Sequence, residues 1–174
     1  MKKKIKRIII GSANFGNNYG IKEKKLNLKS IHQILKYANK IGVKLIDTAQ
    51  SYGNSERDIG KLRDKYNLEV ITKLPSLKKK LKNTEFEDLL IKSNNALNSK
   101  FKYLLFHDFK DFVRNNYYNP KKIIKFKGIY FKKLGVSVYS PEEFLKYLKF
   151  KNLDCIQIPF NILDYRWNTI DFMK

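Results

Sequence analysis

The sequence predicts a parallel α/β fold, and three observations lead there. Six apolar runs of about five residues recur along the chain, separated by stretches with helical spacing. The runs are nearly continuous rather than alternating, as in strands that crossover helices cover on both faces. Strand after strand also ends in a polar side chain, namely Asp47, Lys73, His107, Ser137 and Gln157. In a parallel sheet with right-handed crossovers, those ends lie on the side where ligands bind.

The elements follow in order. Ile5 to Ile10 reads as the first strand, and the Gly-rich stretch Gly11 to Gly20, G-S-A-N-F-G-N-N-Y-G, follows it. Its spacing is not G-x-G-x-x-G and no Lys-Ser/Thr pair follows, so by itself it is a weak phosphate-binding signal. From Ser30 to Ile41 the residues Ile31, Ile34, Leu35, Ala38 and Ile41 form a helical stripe that ends at Gly42, with His32 at its edge or facing solvent. Val43, Leu45 and Ile46 read as a short buried strand that stops at Asp47. Tyr52 and Gly53 then occupy a loop. A helix opens at Asn54 or Ser55 and runs to Leu62, with Ser55 and Asp58 spaced as a capping pair.

Glu69 to Leu74 is the third strand, stopped by Pro75, with Lys73 near its end. Phe86 to Leu97 carries Leu89, Leu90 and Leu97 on an apolar helical face. Tyr103 to Phe106 is a buried strand ended by His107 and Asp108. Pro120 to Phe126 is helical before Gly128, and Leu134 to Val138 is a strand. Ser140 caps a helix from Pro141 to Phe150, with Pro in its first turn and Glu142 and Glu143 near the positive end of its dipole. Cys155 to Pro159, containing Gln157, is the sixth strand.

Composition narrows the class. A chain of 174 residues with 43% hydrophobic and 14% aromatic residues can bury one core, so residues 1–174 are expected to form a single domain. The formal charge is +21, from 37 Lys and Arg against 16 Asp and Glu. The positive residues are almost all Lys and are spread along the chain, whereas base readers and phosphate clamps favour Arg. A solvated Lys-rich surface is therefore expected, with no specific nucleic acid or membrane partner. The one cysteine, Cys155, cannot form an internal disulfide and reads as a small buried hydrophobe in a reducing compartment. The start, M-K-K-K-I-K-R-I-I-I-G, has too short an apolar segment for a signal peptide or anchor, and a cytoplasmic location is expected. No metal site is expected.

In order and spacing, the segments G-S-A-N-F-G-N-N-Y-G, I-D-T-A-Q-S-Y-G-N-S-E, V-I-T-K-L-P, L-L-F-H-D, L-G-V-S-V-Y-S and I-Q-I-P-F-N-I-L-D closely resemble the aldo-keto reductase family. That resemblance implies a (β/α)8 TIM-type barrel that reduces carbonyls with NADPH or NADH. It places the family's catalytic tetrad on Asp47, Tyr52, Lys73 and His107. Tyr52 would donate the proton, Lys73 would lower the phenol's pKa, Asp47 would hold Lys73, and His107 would orient the substrate oxygen. It also implies that Ser137 and Gln157 hydrogen-bond the nicotinamide carboxamide. Many members carry Asn after that Ser, where this chain has Val138.

Length departs from the family, since about 200 residues is the lower limit for such a barrel. The expectation is an incomplete barrel of about six of the eight β-α units, a C-terminally truncated member with weakened NADP or NAD binding and little or no activity. The edges of strands one and six would be unpaired, and Phe160, Ile162, Leu163 and Trp167 would lose their cover. The substrate class is a small-molecule carbonyl compound. Two alternatives are a barrel completed by self-association or by a complementing C-terminal fragment, and a non-catalytic basic binding module.

Overall fold

The computed structural model describes residues 8–20, 25–116 and 121–169. Its strands are β1 (Ile9–Gly11), β2 (Leu45–Asp47), β3 (Glu69–Lys73), β4 (Phe101–Phe106), β5 (Phe131–Ser137) and β6 (Cys155–Gln157). They form one sheet in chain order, and every neighbouring pair is parallel. The sheet curls. Gln157 at the end of β6 donates from Nε2 to Oδ1 of Asp47 at the end of β2 across 3.4 Å, although three strands separate them. The result is an incomplete α/β barrel in which β1 and β6 have no outer neighbour among the described residues.

Each strand turns one face to the helices, and that face forms the core. Ile46, Val70, Leu104, Leu134 and Val136 are essentially fully buried there. The helices are α1 (Ala13–Gly16), α2 (Leu28–Ile41), α3 (Ser55–Gly60), α4 (Arg63–Tyr66), α5 (Asn83–Leu97), α6 (Phe109–Asn116), α7 (Lys121–Ile124) and α8 (Pro141–Tyr147), followed by a 3-10 turn at Tyr165–Thr169. Ile31, Leu35 and Ala38 of α2 pack inward, while Ile34 is exposed. The Asn27 side chain accepts from Ser30 N at the start of α2, and Gly42 ends it at φ +89°.

Several local expectations change. Within the Gly-rich stretch Ala13–Gly16 forms the single turn α1, and Gly16 lets the chain press onto the Tyr52 carbonyl, where a Cβ would overlap. Ser55 does not cap α3. Asn54 is the flanking residue and makes no side-chain cap bond, while Ser55 turns inward to Ser12 and Asp58 pairs with Lys61. Helix α6 was not anticipated. Its Phe109 and Phe112 bury, and its Asp111 carboxylate accepts from Leu77 N at 2.6 Å, tying down the loop after β3. Strand β5 starts earlier, at Phe131, because Lys132 and Lys133 point to solvent while pairing with β4 continues. Helix α8 stops at Tyr147 and β6 at Gln157, short of Phe150 and Pro159. Ile5 to Arg7 and Pro120 lie outside the described residues.

The tail divides. Phe160, Ile162 and Leu163 are exposed, Ile162 to 92%, as expected. Trp167 is not: at 1% exposure it is the largest fully buried side chain. The 3-10 turn folds it onto the helix-facing core instead of leaving it at the open edge. Trp167→Ala should therefore destabilise the fold by about 3–5 kcal/mol in urea unfolding, the usual cost of emptying a buried indole site.

Candidate active site

The site forms where the ends of β2 to β6 converge. The register pairs Asp47 with Ile71, so Lys73 emerges two residues beyond on the next strand and the same face. From there Lys73 Nζ donates to both Asp47 oxygens at 2.6 Å and to the Thr48 carbonyl at 3.3 Å. The pair is buried, the two side chains being 3% and 13% exposed.

Tyr52 arrives from the loop between β2 and α3. Lys73 Nζ lies 5.3 Å from the centroid of its ring. The Tyr52 and His107 rings meet edge to face, with centroids 6.1 Å apart and planes at 83°. Gln157 completes the group through its contact with Asp47. Ser137 is the register partner of Gln157 on β5 and is buried on the same rim, without a side-chain hydrogen bond to the other five.

The electrostatics reverse one expectation. The Tyr52 phenol is not lowered by its ammonium neighbour but pushed up to about 12, by burial first and then by the Asp47 carboxylate. Lys73 is engaged by that same carboxylate. Burial pushes the Lys73 ammonium below its ordinary value, and Asp47 opposes the shift. His107 is lowered by burial and by Lys73, against Asp47 and Asp108, so the imidazole is neutral at pH 7.

A set of polar residues that sequence reasoning missed supports this rim. Thr48 Oγ1 donates to Ser55 Oγ at 3.0 Å, Ser55 Oγ to Ser12 Oγ at 2.8 Å, and Ser12 Oγ to the Asp47 carbonyl at 2.8 Å. This buried hydroxyl chain joins the ends of β1 and β2 to α3. Nearby, Thr72 and Ser93 donate to buried Glu56 at 2.6 and 2.7 Å, and Gln50 Nε2 donates to Ser93 Oγ and to the Leu89 carbonyl. The density of hydroxyls in I-D-T-A-Q-S-Y-G-N-S-E was the available signal. Among the described residues no group of three or more His, Cys, Asp or Glu is placed to hold a metal. None of the described helices is long and apolar enough to cross a membrane.

Residues 7–173 match the Aldo/keto reductase family. No curated protein matches the chain. Solved structures do resemble it. The aldo-keto reductase-like protein PA4992 of Pseudomonas aeruginosa has a TM-score of 0.75 at 20% identity, covering 92% of this chain and 65% of that one. For the aldo-keto reductase AKR11C1 of Bacillus halodurans the values are 0.68, 17%, 92% and 55%. For the Bombyx mori aldo-keto reductase in complex with NADP they are 0.64, 16%, 92% and 57%. At these identities the likeness is one of fold, and the chain spans less than two thirds of each of these structures.

Two outcomes follow from the rim's electrostatics. Lys73→Met leaves the Asp47 carboxylate buried without a counter-charge, and should cost about 3–5 kcal/mol in urea unfolding. Adding Asp47→Leu should recover part of that loss. The second outcome concerns alkaline pH. Below pH 10 the Tyr52 phenol is protonated in both folded and unfolded chains and adds no slope. Above it the unfolded chain releases the proton first, so stability falls as pH rises toward 12. Tyr52→Phe should make that alkaline loss shallower in unfolding titrations.

Proposed function

The chain belongs to the aldo/keto reductase family, and from that premise we propose that its rim serves NAD(P)H-dependent reduction of an aldehyde or ketone with Tyr52 as proton donor. The observation that carries this reading is the convergence of Tyr52, His107 and the Asp47–Lys73 pair at one end of the sheet.

The donor set suits the nicotinamide end of the cofactor. Ser137 and Gln157, paired in register on β5 and β6, offer a hydroxyl and an amide to a carboxamide, which needs both a donor and an acceptor. The bound nicotinamide supplies the hydride. His107, neutral, holds the carbonyl oxygen by a hydrogen bond. Tyr52 keeps its proton throughout the neutral range and gives it to the oxygen as negative charge develops there, since an alkoxide is a far stronger base than a phenolate. Lys73 stabilises the phenolate left behind, and Asp47 keeps Lys73 in place.

The phosphate end is less well furnished. Arg166 is the only basic residue between β6 and the end of the described residues, and it already pairs with Asp164. The 174-residue chain by itself is therefore a weak cofactor binder with little turnover. A second reading rests on the unpaired edges of β1 and β6. The inner face of the curled sheet holds a cavity of about 230 Å³ lined by Ile9, Leu45, Ile71, Leu105 and Cys155, together with neighbouring side chains. A second chain that supplies further β-α units at the two edges, and so closes the sheet around it, restores full activity. The lone thiol fits a reducing, cytoplasmic setting.

Quenching of Trp167 fluorescence by NADPH should appear only well above micromolar cofactor for the isolated chain. Aldehyde-dependent NADPH oxidation, however slow, should fall by about 10²-fold or more in Tyr52→Phe. Reduction that survives this substitution overturns the assignment of the proton donor. A monomer in sedimentation that nonetheless turns over at full rate removes the need for a second chain.

A further inference from the structure

We propose that the inner face of the curled sheet, its bore, binds a small carboxylate with an apolar chain of roughly eight carbons, the headgroup held by Lys133. This goes beyond the reading of the rim. Lys133 lies four residues before Ser137 on β5, about 13 Å back toward the starts of the strands. Residues that alternate inward line the cavity of about 230 Å³, with Ile9, Leu45, Ile71 and Leu105 as its apolar wall. In a closed barrel, layers of side chains from all the strands fill that space. Here β1 and β6 have no outer neighbour among the described residues, so the cavity stays open and Ile9 is half exposed.

Charge decides which way round the ligand sits. Lys133 is the register partner of Tyr103, which lines the cavity, and its Nζ lies 5.7 Å from the centroid of that ring. Lys102 Nζ lies 5.8 Å from the same centroid but pairs with Glu69 Oε2 at 2.5 Å. Asp154, near enough to feel the Lys133 charge, pairs with Lys127 at 2.8 Å. Both of these carboxylates are matched, and Lys133 makes no ion pair among the described residues. An anion placed there meets an uncompensated ammonium. At the rim end it would instead face the Asp47 carboxylate, to which the Gln157 amide already donates. The headgroup therefore goes to Lys133 and the chain runs toward Gln157.

Volume sets the length of that chain. An apolar cavity of about 150 Å³ holds one benzene ring, so about 230 Å³ holds roughly eight carbons. Each methylene buried there should tighten binding about three- to fourfold. A second copy is the poorer occupant, because each chain carries a formal charge of +21 and two copies set edge to edge repel. A carboxylate of this size covers the apolar wall and lowers the charge beside it.

The test is calorimetric titration of the full 174-residue chain with sodium butanoate, hexanoate, octanoate and dodecanoate, and with octan-1-ol. One octanoate should bind per chain, and affinity should rise about three- to fourfold per methylene up to octanoate and then level off. Lys133→Gln should weaken octanoate about three- to tenfold, the effect of one exposed charge-assisted hydrogen bond, and leave octan-1-ol unchanged. Lys132→Gln removes the same charge from the other face of β5 and should leave octanoate unchanged. Ile9→Trp, at the half-exposed wall, should weaken both ligands alike. Equal losses in the two lysine variants, affinity indifferent to chain length, or no binding at millimolar octanoate overturns the proposal. So does sedimentation showing a dimer that excludes octanoate, the outcome for a second copy as occupant. None of these readouts uses cofactor or turnover, so their failure is distinct from survival of reduction in Tyr52→Phe.

Discussion

The contact between Asp47 and Lys73 constrains everything around it. Taking a carboxylate and an ammonium out of water costs several kcal/mol per ion, and only close, multiple hydrogen bonds offset it. Here both carboxylate oxygens and the Thr48 carbonyl engage the same ammonium. That geometry needs β2 and β3 in register, and it needs the turn after Asp47 to be held. The chain of hydroxyls through Ser12, Ser55 and Thr48 supplies the second requirement. Among the described ion pairs this is the one with both side chains buried. Lys79–Glu85, Lys102–Glu69 and Lys127–Asp154 lie at the surface, where such pairs contribute little.

The same contact sets the acid–base character of the rim. An ammonium beside a phenol favours phenolate, but the carboxylate that clasps this one acts on the phenol in the opposite sense. Burial then dominates, and the phenol becomes a weaker acid than it is in water. His107 experiences the opposite outcome from similar surroundings, because burial favours the neutral form of a base as well. Both groups are therefore uncharged at neutral pH, and the charge at the rim is confined to one compensated pair.

Much of this was legible in the sequence for a simple reason. Strand ends in a parallel sheet are local features: a short apolar run followed by Asp47, Lys73, His107 or Gln157 marks where a side chain will emerge, whatever the rest of the chain does. The caps at Gly42 and Ser140 were readable on the same grounds. What escaped was set by contacts distant in sequence. Ser55 follows the capping pattern, yet buried Ser12, 43 residues away, claims its hydroxyl. Helix α6 is short, and its Asp111 binds a backbone 34 residues earlier. Trp167 looked like an edge residue because no local pattern reveals which layer a turn will fold against. The direction of the phenol shift was also hidden, since it depends on which of two opposite charges lies nearer and how dry the place is.

The approach of Gly135 to Cys155 has a practical consequence. A side chain at Gly135 would overlap Cys155 Sγ and Leu105, so β5 and β6 can lie this close only with glycine there. Burial also holds the thiol at about 11, which leaves very little thiolate at physiological pH. The sulfur beside Gly135 is therefore a slow nucleophile for want of thiolate, and its reaction with alkylating reagents should quicken as pH rises toward 11.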